Sequence, residues 1–428
     1  MLARVAPITA LLLGVALLQL GGGLQGTLLP IRAQVEAFTQ LQLGTLGAAY
    51  FLGFVVGCYF GPWLVRNSGH IRTFTAMVAL ASALVLSHPL IIEPAFWFAI
   101  RAATGVCFAI LYMVIESWLN ERASNTTRGF VFAVYAIVSF GMLGLGQLLL
   151  PIASPSDYPL FLIASILVSI AAVPVALSRA DQPKPIEVIH IRLGHLYRMS
   201  PVGLAGSFLV GAVGGCVWSL APIFFAGAGA STQDIAVSMA VMILLGAVGQ
   251  WPLGLISDRM DRRLVIAATA FLSALAGIAL SAFGTGTGTF SLVLTGVFGF
   301  FSFPLYMLCV AHMNDSVAHD GFVEAASGLL LIWGAGAVVG PLVASNVMDA
   351  GGLSGLFYTT AALHVLLLGF TIYRLSRREA RSAEERGAFI DAVRVGQTVS
   401  TVDVLAHEDG ADSAPPAPPN EAEGQPPH

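Results

Sequence analysis

Long stretches without a charged residue constrain the fold of this chain more than any other feature. A helix needs roughly 20 such residues to cross the hydrocarbon of a bilayer. Runs of that length cover residues 5–31, 37–65, 73–92, 129–156, 158–178, 199–233, 235–257, 325–348 and 350–373. Of the 428 residues, 56% are hydrophobic and 10% are charged, whereas an average soluble domain has about 45–50% apolar residues. The chain is therefore predicted to fold in a membrane.

Three more spans complete the count. The uncharged segment Leu264–Asn314 holds two spans if the chain turns at the sequence GTGTGT, residues 284–289. A further span crosses Phe96–Trp118. We therefore predict twelve membrane-spanning helices, since helices and not barrel strands have these lengths. They lie near residues 7–30, 42–64, 72–92, 95–118, 128–150, 158–178, 200–224, 234–256, 264–283, 290–312, 322–348 and 353–374.

The first apolar run also has the composition of a secretory signal, because Arg4 precedes it. Its length is sufficient to span the bilayer, and we expect it to be the first helix. Eighteen of the twenty Lys and Arg residues lie before the first span, in the loops after even-numbered spans, or after the last span. Positive loops remain cytoplasmic during insertion. Both termini are therefore predicted to be cytoplasmic, in a multi-pass plasma (inner) membrane protein.

The chain also repeats itself at an offset of 192 to 194 positions. The matching residues are Gly22 and Gly214, Pro30 and Pro222, Gly53 and Gly246, Gly61 and Gly254, Leu111 and Leu305, and Asn120 and Asn314. The series predicts an all-α integral membrane protein of two pseudo-symmetric six-helix bundles, which is a transporter plan. The predicted units are an N-terminal bundle, a cytoplasmic linker, a C-terminal bundle and a cytoplasmic, largely disordered tail, at residues 1–178, 179–199, 200–374 and 375–428. Residues 374–396 of the tail are expected to include a short surface helix.

One stretch, GLISDRMDRR from Gly254, holds five charges in ten positions between two apolar spans. This pattern resembles the major facilitator superfamily, in which Gly-x-x-x-Asp-Arg-x-x-Arg-Arg follows the second helix and is often echoed after the eighth. Gly254, Asp258, Arg259, Arg262 and Arg263 fit the later copy. The earlier copy keeps Gly61 and Arg66 but has Val65 in place of the acid. The sequence ESWLNERASNTTRG from Glu116 further resembles the YcaD-like subgroup.

The resemblance implies that this loop is a conformational gate, which stabilises an outward-open state through Asp258 and Arg259. The charges can also be explained by membrane topology alone, since arginines are expected in cytoplasmic loops.

Arg101 lies inside the fourth predicted span and is the clearest candidate for the substrate or proton pathway. A buried arginine usually faces a cavity or a partner. The family often has Arg-x-x-Gln-Gly in this helix, and Arg101 and Gly105 match it in part. The alternative is that Arg101 snorkels to the outer headgroups and pairs with Glu93.

Glu116 lies fifteen residues further along the same span, about 22 Å from Arg101 on an ideal helix. A buried carboxylate can carry a proton. The alternative is a structural ion pair with Arg122, Arg128 or the loop after the eighth span.

Other polar and aromatic residues are candidates for the same pathway. Gln19, Gln25, Trp218 and Tyr306 lie on spans that line the central cavity in the family, and each also has an ordinary explanation in helix packing. Arg32 and Glu36 lie four residues apart beyond the first span, where gating and simple solvation are both consistent with their spacing.

Several features are better explained by packing. Gly336, Gly340 and Pro341 resemble an antiporter signature in spacing, but they lie in the eleventh span, where small residues allow close helix contact. His312, Asp315 and His319 straddle a helix end, which favours a polar cap over a metal site. The four cysteines fall inside spans. We predict no metal, cofactor or disulfide.

The expected function is secondary transport of a small organic solute by alternating access. Arg101 favours an anionic solute, and coupling to protons is one candidate energy source. No P-loop sequence is present, and nothing implies a nucleic-acid partner. A membrane enzyme would need clustered catalytic groups, and the nine histidines are scattered. The remaining alternative is a nontransporting membrane sensor of a small ligand.

Overall fold

The computed structural model describes residues 8–123, 127–177, 188–284, 287–317, 321–377 and 401–403. Its first half, up to residue 177, is built from consecutive antiparallel helices. They are α1 (Thr9–Val35), α2 (Gln40–Ser68), α3 (His70–Ser87), α4 (Pro94–Arg122), α5 (Arg128–Gln147), α6 (Pro159–Ile170) and α7 (Ala172–Ala176). Short 3-10 turns extend α3 and α5 at His88–Leu90 and Leu150–Ile152.

The second half repeats this plan after a linker. Its elements are β1 (Val188–His190), α8 (Leu193–Met199), α9 (Pro201–Gly227), α10 (Thr232–Arg259), α11 (Arg262–Phe283), α12 (Gly288–Ser302), α13 (Leu305–Asn314), α14 (Phe322–Gly351), α15 (Gly355–Leu375) and β2 (Thr401–Asp403). Within the described residues, twelve helical segments are long and apolar enough to cross a membrane, and α6 with α7 and α12 with α13 each form one of them. The predicted fold class is confirmed.

Local signals explain where equivalent helices begin. The second span of each half starts with a capping box: the Thr39 hydroxyl accepts a hydrogen bond from the Gln42 amide, and the Ser231 hydroxyl accepts one from the Asp234 amide. In both boxes the third residue also accepts a bond from the capping residue's own amide. Such pairs satisfy donors that a helix start leaves without intrahelical acceptors. Thr39 and Ser231 are 192 residues apart, which is the offset of the sequence repeat.

The turn predicted at residues 284–289 falls at the break between α11 and α12. Gly284 caps the end of α11, and Gly288 has a positive φ of 78°. Glycine adopts that conformation without the steric cost that a side chain brings.

Buried side chains form different cores at the two sides of the bundle. We call one side of the bundle the arginine-rich side; it holds the junctions at 68–70 and 259–262, the end of α4 at Arg122 and the described linker residues 188–199. On the opposite side, one core joins both halves and includes Leu28, Phe38, Phe224 and Met348. Towards the arginine-rich side each half has its own core, one between Ile8 and Val175 and one between Leu196 and Leu367. The two halves are therefore joined most completely at the opposite side.

Small residues bring helices of one half into backbone contact. Gly336 and Gly340 of α14 face α9, and a Cβ atom added at Gly340 would overlap the backbone of Ala212. Gly105 of α4 lies against the Tyr50 backbone of α2 in the same way. If the spacing of Gly336, Gly340 and Pro341 serves helix packing, close backbone contact at these positions is expected.

The linker is held against the second half. Arg192, just before α8, forms an ion pair with Glu324 in the first turn of α14 at 3.2 Å, and its amide donates to the same carboxylate at 3.0 Å. β1 pairs in parallel with β2, with Val188 opposite Thr401. The surface helix predicted at residues 374–396 falls mostly outside the described residues, as does most of the predicted disordered tail.

Candidate functional site

A cavity of about 390 Å³ lies between the two halves. Twelve of its lining residues come from α1, α2, α4 and α5, and eleven come from α9 to α14. They are Gly22, Gln25, Gly26, Tyr50, Phe51, Phe54, Arg101, Phe108, Tyr112, Phe140, Leu143, Gln147, Val210, Val213, Gly214, Trp218, Ser219, Gln250, Ser302, Phe303, Tyr306, Leu330 and Trp333. The volume lies in the range of small-molecule sites. Four residues of the predicted pathway therefore share one cavity: Gln25, Arg101, Trp218 and Tyr306.

Arg101 contributes a positive charge to this cavity. Its guanidinium carbon lies 4.5 Å from the centre of the Tyr50 ring, a cation–π contact. In the part of the chain that the structure describes, no carboxylate lies within ion-pair distance of Arg101, and its buried Nε atom has no hydrogen-bond partner. Arg101 is about 10 Å along α4 from Pro94, at 1.5 Å per residue. The alternative ion pair with Glu93 does not form in this conformation.

Two further polar groups in the cavity lack a partner. Gln25 is 2% exposed, and its side-chain nitrogen has no acceptor among the described residues. The Tyr306 hydroxyl, from α13 in the other half, is in the same situation. Buried polar groups normally form hydrogen bonds. These two groups therefore keep a hydrogen-bonding capacity that the described protein groups do not use.

Aromatic rings form much of the cavity wall. The ring centre of Trp333 in α14 lies 5.7 Å from the ring centre of Phe51 in α2 and 6.1 Å from that of Tyr306. Trp333 therefore links the two halves at the cavity. The ring centres of Trp218 and Phe303 are 5.7 Å apart. Such rings cover an apolar ligand surface, while the few polar groups orient it.

Gln19 lies one layer behind this wall. Its side-chain oxygen accepts a hydrogen bond of 2.9 Å from the Tyr112 hydroxyl, and Tyr112 lines the cavity. Gln19 is thus placed to orient a lining residue and does not itself line the cavity.

Glu116 also lies outside the lining, towards the arginine-rich side of α4. It is 5% exposed, and the Tyr135 hydroxyl of α5 donates to it at 3.4 Å. This position separates it from Arg101 along the helix, as the spacing predicted. Glu116 is a buried carboxylate between the cavity and that side of the bundle.

The loop after α10 forms an ion-pair cluster around Arg262, which is 1% exposed. Arg262 contacts the Asp315 carboxylate at 2.8 Å and the Asp258 carboxylate at 3.1 Å, and donates to the Ser257 hydroxyl at 2.8 Å. Asp315 directly follows α13. The cluster therefore ties α10 and α11 to the end of the tenth span. Arg259, in contrast, is exposed and forms no ion pair within the described ranges.

The other gate candidates have simpler surroundings. Arg263 pairs with Asp261 at 2.8 Å, and Asp261 caps α11 by accepting from the Arg263 amide. Burial raises the pKa of the Asp261 carboxyl, but the hydrogen bonds and charge of Arg263 outweigh that effect, and the pKa lies below its usual value. Gly254 is buried within α10, and Gly61 is buried against Met113 of α4. Arg66 is exposed.

Arg32 is held by several groups rather than left in solvent. It is 9% exposed, pairs with Glu36 at 2.7 Å, and donates to the backbone carbonyls of Pro155 and Ser156. It therefore ties the end of α1 to the loop before α6, on the opposite side of the bundle.

Sequence reasoning missed several lining residues. Gln147 and Gln250 are uncharged polar residues in apolar spans, which is the signal that selected Gln19 and Gln25. Tyr50, Phe51 and Trp333 have no such signal, because an aromatic residue in an apolar span is equally well explained by helix packing.

Comparison with known proteins agrees with this architecture. The family model described as Major Facilitator Superfamily matches residues 11–319 and 203–408. The "Uncharacterized MFS-type transporter YcaD" of Escherichia fergusonii is 28% identical over 364 residues, covering 85% of this chain and 94% of the relative. The "Uncharacterized MFS-type transporter YE1530" of Yersinia enterocolitica is 26% identical, covering 86% and 94%. The solved structure of the nucleoside transporter NupG aligns with a TM-score of 0.71 at 12% identity, covering 87% of this chain and 99% of that one.

Proposed function

Because the chain belongs to the Major Facilitator Superfamily, we propose that it is a secondary active transporter that moves a small organic solute across the membrane by alternating access. The observation that carries the proposal is the cavity between the halves, which both halves line. One core joins the halves on the opposite side, and separate cores lie towards the arginine-rich side. This is the arrangement expected of a carrier that is closed at one side and able to open at the other.

We assign the arginine-rich side to the cytoplasm, because Lys and Arg accumulate there. Both termini, the linker at 179–199 and the tail at 375–428 then lie in the cytoplasm. In this orientation we propose that the carrier opens towards the cytoplasm, where each half has its own core. The bundles 1–178 and 200–374 are the proposed moving units.

Arg101 supports an anionic solute, since a charge with no protein partner is stabilised by an opposite charge. Gln25, Trp218 and Tyr306 are the proposed contacts to the rest of the solute. Gln19 is the proposed positioning residue, through its bond to Tyr112.

Glu116 is the proposed proton carrier. Its carboxylate is buried beside Tyr135. Because burial favours the neutral form of a carboxyl group, a change in hydration between conformations can make it take up or release a proton. Substituting Glu116→Gln keeps the size and removes the titration. A transported solute should then still exchange down its own gradient but should no longer accumulate in response to a pH gradient.

The gate role of Gly254, Asp258, Arg259, Arg262 and Arg263 is proposed from the family pattern, because in this conformation the Arg262 cluster joins helices of the second half only. Arg262 is its central member, because it joins three helices. The equivalent residues of the first half, Gly61 and Arg66, are proposed as the weaker part of the gate, because the acid is missing there.

Counterflow in proteoliposomes tests transport directly. Purified full-length protein is first screened for stabilisation by anionic, neutral and cationic solutes, because a ligand that binds the folded state raises its stability. Vesicles are then loaded with the unlabelled solute, and the labelled solute is added outside. A transporter gives a transient overshoot of label, whereas protein-free vesicles do not. Binding without exchange would identify a sensor and refute the transport proposal.

A further inference from the structure

The chemistry of the cavity specifies the substrate class more narrowly than its net charge does. This inference rests on the proposed function, since it concerns the same cavity. Among the lining residues that the structure describes, Arg101 is the only charged one. Glu116 does not neutralise it, because the two lie about 22 Å apart along α4. One uncompensated positive charge matches one negative charge on the ligand.

Three buried side-chain atoms of the lining have no hydrogen-bond partner among the described residues. They are the Arg101 Nε–H, the Gln25 amide nitrogen and the Tyr306 hydroxyl. Two belong to the first half of the chain and one to the second. Acceptor oxygens at two places on the ligand satisfy all three: an anionic group towards Arg101 and Gln25, and a second acceptor towards the Tyr306 hydroxyl, which can donate.

The walls between these donors favour a flat ring. Ten of the twenty-three lining residues are aromatic, and Trp333 touches both Phe51 of the first half and Tyr306 of the second. Stacked and edge contacts with such rings add to the affinity beyond simple burial of area. An aliphatic anion of similar size would forgo those contacts.

We infer that the substrate is an aromatic monocarboxylate with a second hydrogen-bond acceptor, bound across the interface with its carboxylate at Arg101 and its ring against Trp333. The carboxylate takes the donors of the first half, and the distal acceptor takes the Tyr306 hydroxyl. A molecule bound in this way contacts both moving units, so its occupancy is coupled to their relative position.

The test is calorimetric binding to purified full-length protein with a matched set of probes. The set comprises benzoates and naphthoates with a methoxy or hydroxy group opposite the carboxylate, their neutral carboxamides, cyclohexanecarboxylate and terephthalate. The aromatic monocarboxylates should bind at least about tenfold more tightly than the carboxamides, because hydrogen bonds to a charged group are the stronger ones. Cyclohexanecarboxylate and the dianion should also bind more weakly.

Variants then locate each end of the ligand. Arg101→Gln should abolish the preference for carboxylate over carboxamide, while Arg101→Lys should retain it in part. Tyr306→Phe should weaken the binding of methoxybenzoate but leave the binding of unsubstituted benzoate unchanged. Trp333→Leu should reduce the advantage of benzoate over cyclohexanecarboxylate. Arg72→Gln is the matched control, since Arg72 is exposed and remote from the cavity lining.

The outcomes of these measurements separate the substrate class from the transport proposal. Binding of no aromatic monocarboxylate at millimolar concentration, or equal binding of acids and amides, overturns the inference. If a neutral or cationic solute gives counterflow while the benzoates do not bind, the inference fails and the transporter proposal stands. If benzoates bind through Arg101 but never exchange across the vesicle membrane, the substrate class stands and transport fails.

Discussion

The Arg262 cluster allows a quantitative test, because its three charged members, Arg262, Asp315 and Asp258, differ in burial. Arg262 and Asp315 have side chains that are 1% and 5% exposed, whereas Asp258 is 31% exposed. We therefore expect unequal effects on the free energy of unfolding when the three residues are replaced one at a time. Arg259→Leu is the matched control, since Arg259 lies in the same loop and is exposed.

The magnitudes follow from what each change leaves behind. Arg262→Leu strands the buried Asp315 carboxylate, and removing one member of a buried pair costs about 3–5 kcal/mol. Asp315→Asn keeps a neutral acceptor and leaves Asp258 in place, so the loss is about 1.5–3 kcal/mol, as for a hydrogen bond to a charged group. Asp258→Asn removes a partly exposed partner and costs about 0–1 kcal/mol. The Arg259→Leu control should change stability by less than about 0.5 kcal/mol.

Equilibrium unfolding by SDS in mixed micelles measures these differences, and a double-mutant cycle isolates the pair. Replacing both Arg262 and Asp315 by Leu should cost less than Arg262→Leu alone, because no buried charge is left. If Asp258→Asn were as damaging as Arg262→Leu, or if the double variant were the least stable, burial would not control the energetics of this loop and the reasoning would be wrong.

Three further outcomes are expected. Gly340→Val should abolish the monodisperse peak in size-exclusion chromatography, because its Cβ would overlap the α9 backbone, whereas Gly351→Val in the same helix meets nothing within 4 Å and should leave the peak intact. Asp261→Ala should lower the free energy of unfolding by about 1 kcal/mol through the lost cap. The pKa of Asp261 is depressed in the folded protein, so its contribution to the free energy of unfolding is present above the usual carboxyl pKa of about 4. That contribution disappears as the pH falls through the folded pKa. A destabilisation by Asp261→Ala that grows on acidification would contradict this. The four native cysteines are buried: Cys58, Cys107, Cys216 and Cys309. They should resist maleimide in the folded protein and react after denaturation, and rapid labelling before denaturation would contradict their burial.

The course of the chain through the membrane could be predicted from the sequence because it depends on one-dimensional properties. Charge-free length determines how many spans fit, and the capping residues before α2 and α10 determine where those spans begin. The offset between Thr39 and Ser231 was already visible as a repeat of glycines and prolines. These features require no knowledge of which helices are neighbours.

The site was harder to predict, because it depends on how each helix is rotated towards others distant in sequence. Arg101 was identified from its charge, but its contact with Tyr50 depends on the close approach of α2 and α4 at Gly105. The family motif directed attention to Arg259, whereas Arg262 forms the contacts. That difference arises because Asp315, which directly follows the tenth span, faces Arg262. A single sequence contains no information about such pairings.

The core shared by the two halves has a consequence for the resting state of the protein. If the halves separate on that side, side chains of this core that lie between the halves become exposed to water. Each such side chain costs about 1.5–3 kcal/mol to hydrate fully. We therefore expect the empty protein to populate mainly the conformation described here. In the proposed orientation, a solute arriving from the cytoplasm then finds the cavity available more often than one arriving from outside.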